Sequence, residues 1–221
     1  MKIGVVAHES RIRQAHQLVQ NVHADYISVD RNHMLGPNKN HRHVWEHLNA
    51  IAGRDEWCIV LEDDAIVLED DAIVGYDFRR QAAQVLFSCP TNVDVVSLYL
   101  GRMRPPQWQE RVKAAVNRAN AYDATWIVGD VALHAVALAM IGENVAKMLW
   151  SIRNCSRPPD ESVTHWCRMY GHRIGYCFPS IVQHGDLPTL IKHPDGQERE
   201  NGRVAWRFGM RNTWHTKPVV L

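Results

Sequence analysis

The chain has 221 residues, 46% of them apolar and 22% charged, and its 25 Lys and Arg nearly balance 24 Asp and Glu for a formal charge of +1. That is enough apolar material for one sizeable α/β domain with at most a short appendage, and the charge balance argues against a protein that coats nucleic acid. The five cysteines form no close C-x-x-C pair, which argues against zinc ribbons, redox motifs and a disulfide framework. Residues 1–7 are too short a run for a signal peptide. The longest apolar run, 131–141, is interrupted by His134 and falls far short of a membrane span, so a cytoplasmic protein is expected (in the host cytoplasm if viral).

In chain order, residues 3–7 read as a buried strand. Residues 9–22 have helical spacing, with Ile12, Ala15, Val19 and Val22 on one face. A second strand over 25–30 ends in Asp30, and a Gly-Pro-Asn turn at 36–38 leads to a helix over 40–52 that turns Val44, Trp45 and Leu48 inward. A third strand, 57–61, follows. This alternation predicts parallel strands joined by right-handed crossovers, as in half of a Rossmann-like sheet. A helix over 76–87 and a strand over 93–99 continue it.

The polar segment 102–120, with Pro105 and Pro106, reads as an excursion near the substrate. Strands are predicted over 125–128 and 132–140, and a helix over 143–152. Asp160 is placed as the N-cap of a helix running to Tyr170. Strand-like pieces at 173–178 and 180–183 lead to His184, and 192–221 reads as a polar, Gly-rich tail.

The chemistry starts at the third strand, Trp57-Cys58-Ile59-Val60-Leu61, which runs directly into Glu62-Asp63-Asp64. Ligands of open α/β sheets bind beyond the carboxyl ends of strands, and three adjacent acids repel one another unless a cation joins them. Three readings follow from the triplet alone. The acids cap the next turn in solvent, they hold Mg²⁺ for a nuclease or phosphohydrolase, or they hold a metal against the diphosphate of a nucleotide sugar.

The neighbouring elements resemble those of a small glycosyltransferase of the GT-A fold, similar to glycosyltransferase family 25. Three pieces carry the resemblance. They are a His-x-x-Trp-like helix element, His41-Arg42-His43-Val44-Trp45, before Val60-Leu61-Glu62-Asp63-Asp64; the acidic element Asp160-Glu161-Ser162-Val163; and Phe178-Pro179-Ser180-Ile181-Val182-Gln183-His184-Gly185-Asp186. The resemblance covers roughly residues 1–190. It departs from the family at Asn40, where a serine usually precedes the histidine.

The resemblance implies a three-layer α/β/α sandwich with a mixed, mostly parallel sheet. A GT-A domain would span 1–191, with 192–221 as a tail or lid packed on it. It implies Mn²⁺ or Mg²⁺ held by Asp64, with Glu62 in support and His184 completing the shell; His215 is the rival. Asp160 or Glu161 would be the general base. Ala7, His8, Glu9, Arg11, Asp30, Lys39, Glu62 and Asp63 would bind a nucleoside-diphosphate sugar, and Ser97, Tyr99 and Gly101 end another strand on the same edge.

The acceptor stays open between a glycan, a modified DNA base and a protein hydroxyl. DNA would need a basic face from Arg102, Arg104, Arg111, Lys113 and Arg118. Of the eight tryptophans, Trp45, Trp57 and Trp126 sit in core-like runs, whereas Trp108, Trp206 and Trp214 lie in polar segments and are acceptor-side candidates.

Overall fold

Val60 and Leu61 are neighbours in sequence and both wholly buried, as a strand with a hydrophobic core on each face requires. They lie in a sheet seen in a computed structural model that describes residues 1–67, 78–187 and 202–221. The chain begins with β1 (Lys2–His8), a 3-10 turn (Glu9–Arg11), α1 (Ile12–Val22), β2 (Tyr26–Asp30), α2 (Gly36–Ile51) and β3 (Trp57–Glu62). β1 pairs in parallel with both β2 and β3, as the alternation predicts.

β4 (Ala65–Val67), α3 (Phe78–Phe87), β5 (Val95–Ser97), α4 (Gln109–Ala121), β6 (Trp126–Gly129) and β7 (Ala137–Ile141) follow. Then come α5 (Gly142–Ser151), α6 (Pro159–Tyr170), β8 (Ile174–Cys177), β9 (Val182–His184) and β10 (Pro218–Val220). Eight strands form one sheet in the order β10-β6-β8-β5-β7-β3-β1-β2, and β4 pairs with β9 apart from it. β7 runs antiparallel to β3 and β5, and β6 to β8; the other pairings in the sheet are parallel. The molecule is therefore an α/β protein with a mixed, mostly parallel sheet. Among the described residues no helix is long and apolar enough to cross a membrane.

Alternate strand residues feed two cores. Ile59 and Leu61 join the apolar faces of α1 and α3, while Cys58 and Val60 join those of α2, α4, α5 and α6. A strand residue's side alternates with period two, so a central strand such as β3 supplies both cores.

Four expectations need correction. The segment 102–120 is no simple excursion, because Val112, Ala115, Val116 and Ala119 recur at helical spacing and bury one face of α4. The strand expected over 132–140 begins only at Ala137; Leu133 upstream is tied down through its amide to the Tyr176 hydroxyl at 2.9 Å. α2 starts at Gly36 rather than 40, because the carboxylate of Asp30 accepts from the amides of Leu35 and Gly36, at 2.9 Å each, and Pro37 has no amide to satisfy. Asp160 is not the N-cap of α6. Pro158 occupies that position and Asp160 lies inside the first turn.

The predicted helix start at Tyr76 and residues 192–201 of the tail lie outside the described residues. Residues 202–221 are bonded into the domain. Trp206 donates its amide to Leu100 (2.9 Å), Ser180 donates to Arg207 (2.9 Å), and β10 pairs in parallel with β6.

Candidate functional site

β1 leads through α1 to β2 on one side, and the chain then crosses through α2 to β3 on the other side of β1. Such a reversal leaves a crevice at the carboxyl ends of the strands. A cavity of about 600 Å³ opens there, lined by the ends of β1, β2 and β3, the start of α2, and two late residues, His184 and Arg203.

The acidic triplet forms one wall. Glu62 Oε1 lies 3.0 Å from Nε2 of His41, which α2 carries almost fully buried. Burial opposes ionisation of Glu62, but the His41 hydrogen bond and the charges of His41, His184 and His134 outweigh it, and the carboxyl lies below its ordinary value. Asp63 accepts the His8 amide at 2.8 Å through Oδ2 and Arg11 Nη1 at 3.0 Å through Oδ1. The same Nη1 reaches Asp64 Oδ2 at 2.9 Å. Burial raises the carboxyl of Asp63 despite these partners; at Asp64 burial and the charge of Glu62 act together in that direction.

The late segment is fastened to the triplet. Gly185 donates its amide to the Asp64 carbonyl at 2.7 Å, and Ala65 pairs with His184 across β4 and β9. His184 Nδ1 accepts the Asp186 amide at 2.8 Å. Its Nε2 therefore carries the proton of the neutral ring and faces Asp64 Oδ2 at 3.4 Å. Burial, ahead of the opposing pull of Asp64, keeps this imidazole below its usual value. The Asp186 carboxylate accepts the amides of Gly202 and Arg203 and ion-pairs with Arg203 Nε at 3.5 Å, which holds Arg203 at the cavity.

Of the expected donor-binding residues, Ala7, His8, Arg11, Asp30, Glu62 and Asp63 line the cavity. Asp30 does so with both oxygens engaged by α2. Glu9 and Lys39 are exposed and are not among the lining residues; Glu9 instead accepts the Asn32 amide at 2.7 Å. Ser97 and Tyr99 are core residues, with Ser97 Oγ donating to the Tyr99 carbonyl at 2.7 Å and the Tyr99 hydroxyl to the Arg203 carbonyl. Gly101 is buried and bridges to Ala205. His215 lies elsewhere, its Nε2 2.8 Å from the Asp123 carbonyl.

Asp160 Oδ1 accepts the Glu161 amide at 3.0 Å. Burial, with lesser help from the Glu62 and Glu161 charges, lifts its carboxyl to about 6. Glu161 is exposed.

His33, Asn40, His41 and Arg203 also line the cavity without having been expected as ligand contacts. His33 and Asn40 flank the end of β2 and the start of α2, where the crevice rule points. His41 stood in the quoted helix element. Arg203 had no local signal, because residues distant in sequence, Asp186 and Tyr99 among them, bring it back.

The tryptophans of polar segments are packing residues: Trp108 and Trp206 lie against one core and Trp214 against the other. Two arginines of the expected basic face hold β10. Arg111 reaches the Leu221 carbonyl at 3.2 Å, and Arg118 the Val220 carbonyl at 2.6 Å.

The donors available to a cation are carboxylate oxygens. Among the described residues no three His, Cys, Asp or Glu side chains converge on one point. Asp64 Oδ1, however, is buried with no partner among the described residues, and the Glu62 side chain is 31% exposed. Two carboxylates, completed by phosphate oxygens and water, suit Mg²⁺ or Mn²⁺. The residues fit such an ion at Asp64 and Glu62. Neither models of protein families nor curated proteins gave a match to this sequence.

Proposed function

We propose that the chain is a GT-A glycosyltransferase with a three-layer α/β/α core, transferring a sugar from a nucleoside diphosphate to an acceptor hydroxyl with Mn²⁺ or Mg²⁺. The observation that carries this reading is the cavity at the reversal of strand order, where Glu62, Asp63 and Asp64 face Arg11 and Arg203. Among the described residues its lining holds four carboxylates, counting Asp30, against two guanidinium groups. A diphosphate would meet excess negative charge there, and a divalent cation restores the balance. Bound at Asp64 and Glu62, that ion would neutralise the departing diphosphate.

The chain's own groups would do the rest. Arg11 and Arg203 are the cations available to phosphate oxygens. Asp160, not among the residues lining the cavity but with its carboxyl lifted to about 6, would be the base that takes the acceptor proton near neutral pH. Glu161, exposed at the helix start, suits orienting the acceptor. The acceptor is a glycan, a modified DNA base or a protein hydroxyl. The engagement of Arg111 and Arg118 with β10 weighs against DNA.

The test is a panel of nucleotide sugars incubated with Mn²⁺ and the full chain, reading nucleoside diphosphate release. Release that disappears in Asp64→Ala is expected. Hydrolysis of phosphoesters or nucleic acid instead would sink the reading in favour of a phosphohydrolase, and donor binding without turnover would favour a non-catalytic nucleotide-sugar-binding protein.

A further inference from the structure

A single nitrogen, Arg11 Nη1, lies 3.0 Å from Asp63 Oδ1 and 2.9 Å from Asp64 Oδ2. The three side chains are 12%, 8% and 6% exposed, so solvent screens them little. Asp63 has both oxygens occupied, by His8 and Arg11. Asp64 has one occupied by Arg11, while its other oxygen, Oδ1, is buried without a partner among the described residues. An unmet oxygen on an almost fully buried carboxylate is costly, and it is accounted for if a second cation joins Asp64 in another state of the protein. Arg11 shares one guanidinium charge between two carboxylates and Glu62 adds a third, while Arg203, the other guanidinium at the cavity among the described residues, is already paired with Asp186, so the cluster is short of positive charge.

The geometry points to Arg11 as a resident counter-ion that a divalent cation displaces from Asp64. Arg11, still paired with Asp63, then has the nitrogen hydrogen bond it made to Asp64 to offer to the anionic part of the ligand. This deepens the transferase reading and rests on it for the nature of that anion. Two consequences follow from the charges alone. Without nucleotide the ion meets the Arg11 charge at close range and binds weakly. With a diphosphate present, Arg11 gains a new partner, so metal and nucleotide strengthen each other's binding by the same factor.

The test is Mn²⁺ binding to the full-length protein without nucleotide, read from the paramagnetic resonance signal of the free aquo ion. Arg11→Gln is expected to bind Mn²⁺ about tenfold more tightly than the unaltered chain, or better, because a neighbouring positive charge is gone. Asp64→Asn should abolish binding in either background. In Arg11→Gln the enhancement of Mn²⁺ binding by a nucleoside diphosphate should shrink toward unity. Should Arg11→Gln fail to fold, as judged by its melting curve, Arg11→Lys serves instead. Its compact ammonium cannot bridge both acids as well, and an increase of a few-fold is expected.

An unchanged or lower Mn²⁺ affinity in the folded Arg11 variant overturns the exchange. So does binding that survives Asp64→Asn, or no binding in any variant. None of these readouts involves sugar transfer. A protein that shows the predicted increase yet releases nothing from any nucleotide sugar would refute the transferase and leave the exchange standing.

Discussion

His41 Nε2 and Glu62 Oε1 lie 3.0 Å apart, joining the second turn of α2 to the last residue of β3. The bond fixes one oxygen of the first acid of the triplet, a residue that lines the cavity. His41→Ala should cost about 2–4 kcal/mol in a urea unfolding titration, from a lost hydrogen bond to a charged group and the space left by a buried ring. Because Glu62 ionises more readily folded than unfolded, its contribution is fully present above its ordinary value of 4.5 and is lost as pH falls through the lower folded value. The acid limb of the stability profile should therefore flatten in His41→Ala. An unaltered limb would show that His41 does not hold Glu62 in its ionised form.

Asp160 has the opposite sign. Its folded carboxyl, at about 6, lies above its ordinary value of 3.8, so the folded chain keeps this proton longer than the unfolded chain. Asp160 therefore lowers stability as pH rises from 3.8 to about 6, and the loss then stays constant. Asp160→Asn should remove that decline and be the more stable protein at pH 7. If Asp160 is the base, donor turnover should rise through pH 6 in the unaltered chain and fall by about 10²–10⁴-fold in the variant. A variant that keeps the rate and the pH profile assigns the base elsewhere.

Gly185 lies so close to the triplet that an added Cβ would stand 2.9 Å from the Asp64 carbonyl oxygen. The Gly185 amide already donates to that oxygen. Gly185→Ala should push β9 away from Asp64, at a cost of about 1–3 kcal/mol. Nucleotide affinity, measured by calorimetry in the presence of Mn²⁺, should fall with it. Unchanged affinity in a destabilised variant would separate β9 from the ligand site.

β10 covers the edge of the sheet beside β6. Leu221 is 8% exposed, donates its amide to Val128 at 2.9 Å and packs its side chain over Gly129. Deleting residues 218–221 should lower the unfolding free energy by about 2–5 kcal/mol, as expected for loss of one buried leucine with its strand. Arg111 and Arg118 would lose their carbonyl partners. A small change in the denaturation midpoint would mean that β10 contributes little to the domain.

Much of the first half of the fold was legible because its signals are local. Residues 3–7 and 57–61 are continuous apolar runs flanked by helical periodicity, and a β-α-β-α-β order admits few arrangements. α4 was hidden because Pro105, Pro106 and a polar exterior mask four small apolar residues at helical spacing. The reading of Asp160 as an N-cap failed because Pro159 fits the first helical turn and moves the boundary back.

The sequence by itself determined that three adjacent carboxylates end a buried strand, a place where they need solvent or a cation, and a cavity does open there. It also made Arg11 and His184 candidates. Only the tertiary structure decided which groups meet. Arg11 bridges Asp63 and Asp64 because β1 and β3 are adjacent in parallel register. His184 turns its protonated nitrogen to Asp64 because the Asp186 amide occupies the other. Arg203, from a segment with no pattern of its own, reaches the cavity because the Asp186 carboxylate gathers its backbone. Arg11 and its acids lie 52 and 53 positions apart and Asp186 and Arg203 lie 17 apart, and no local periodicity encodes such contacts.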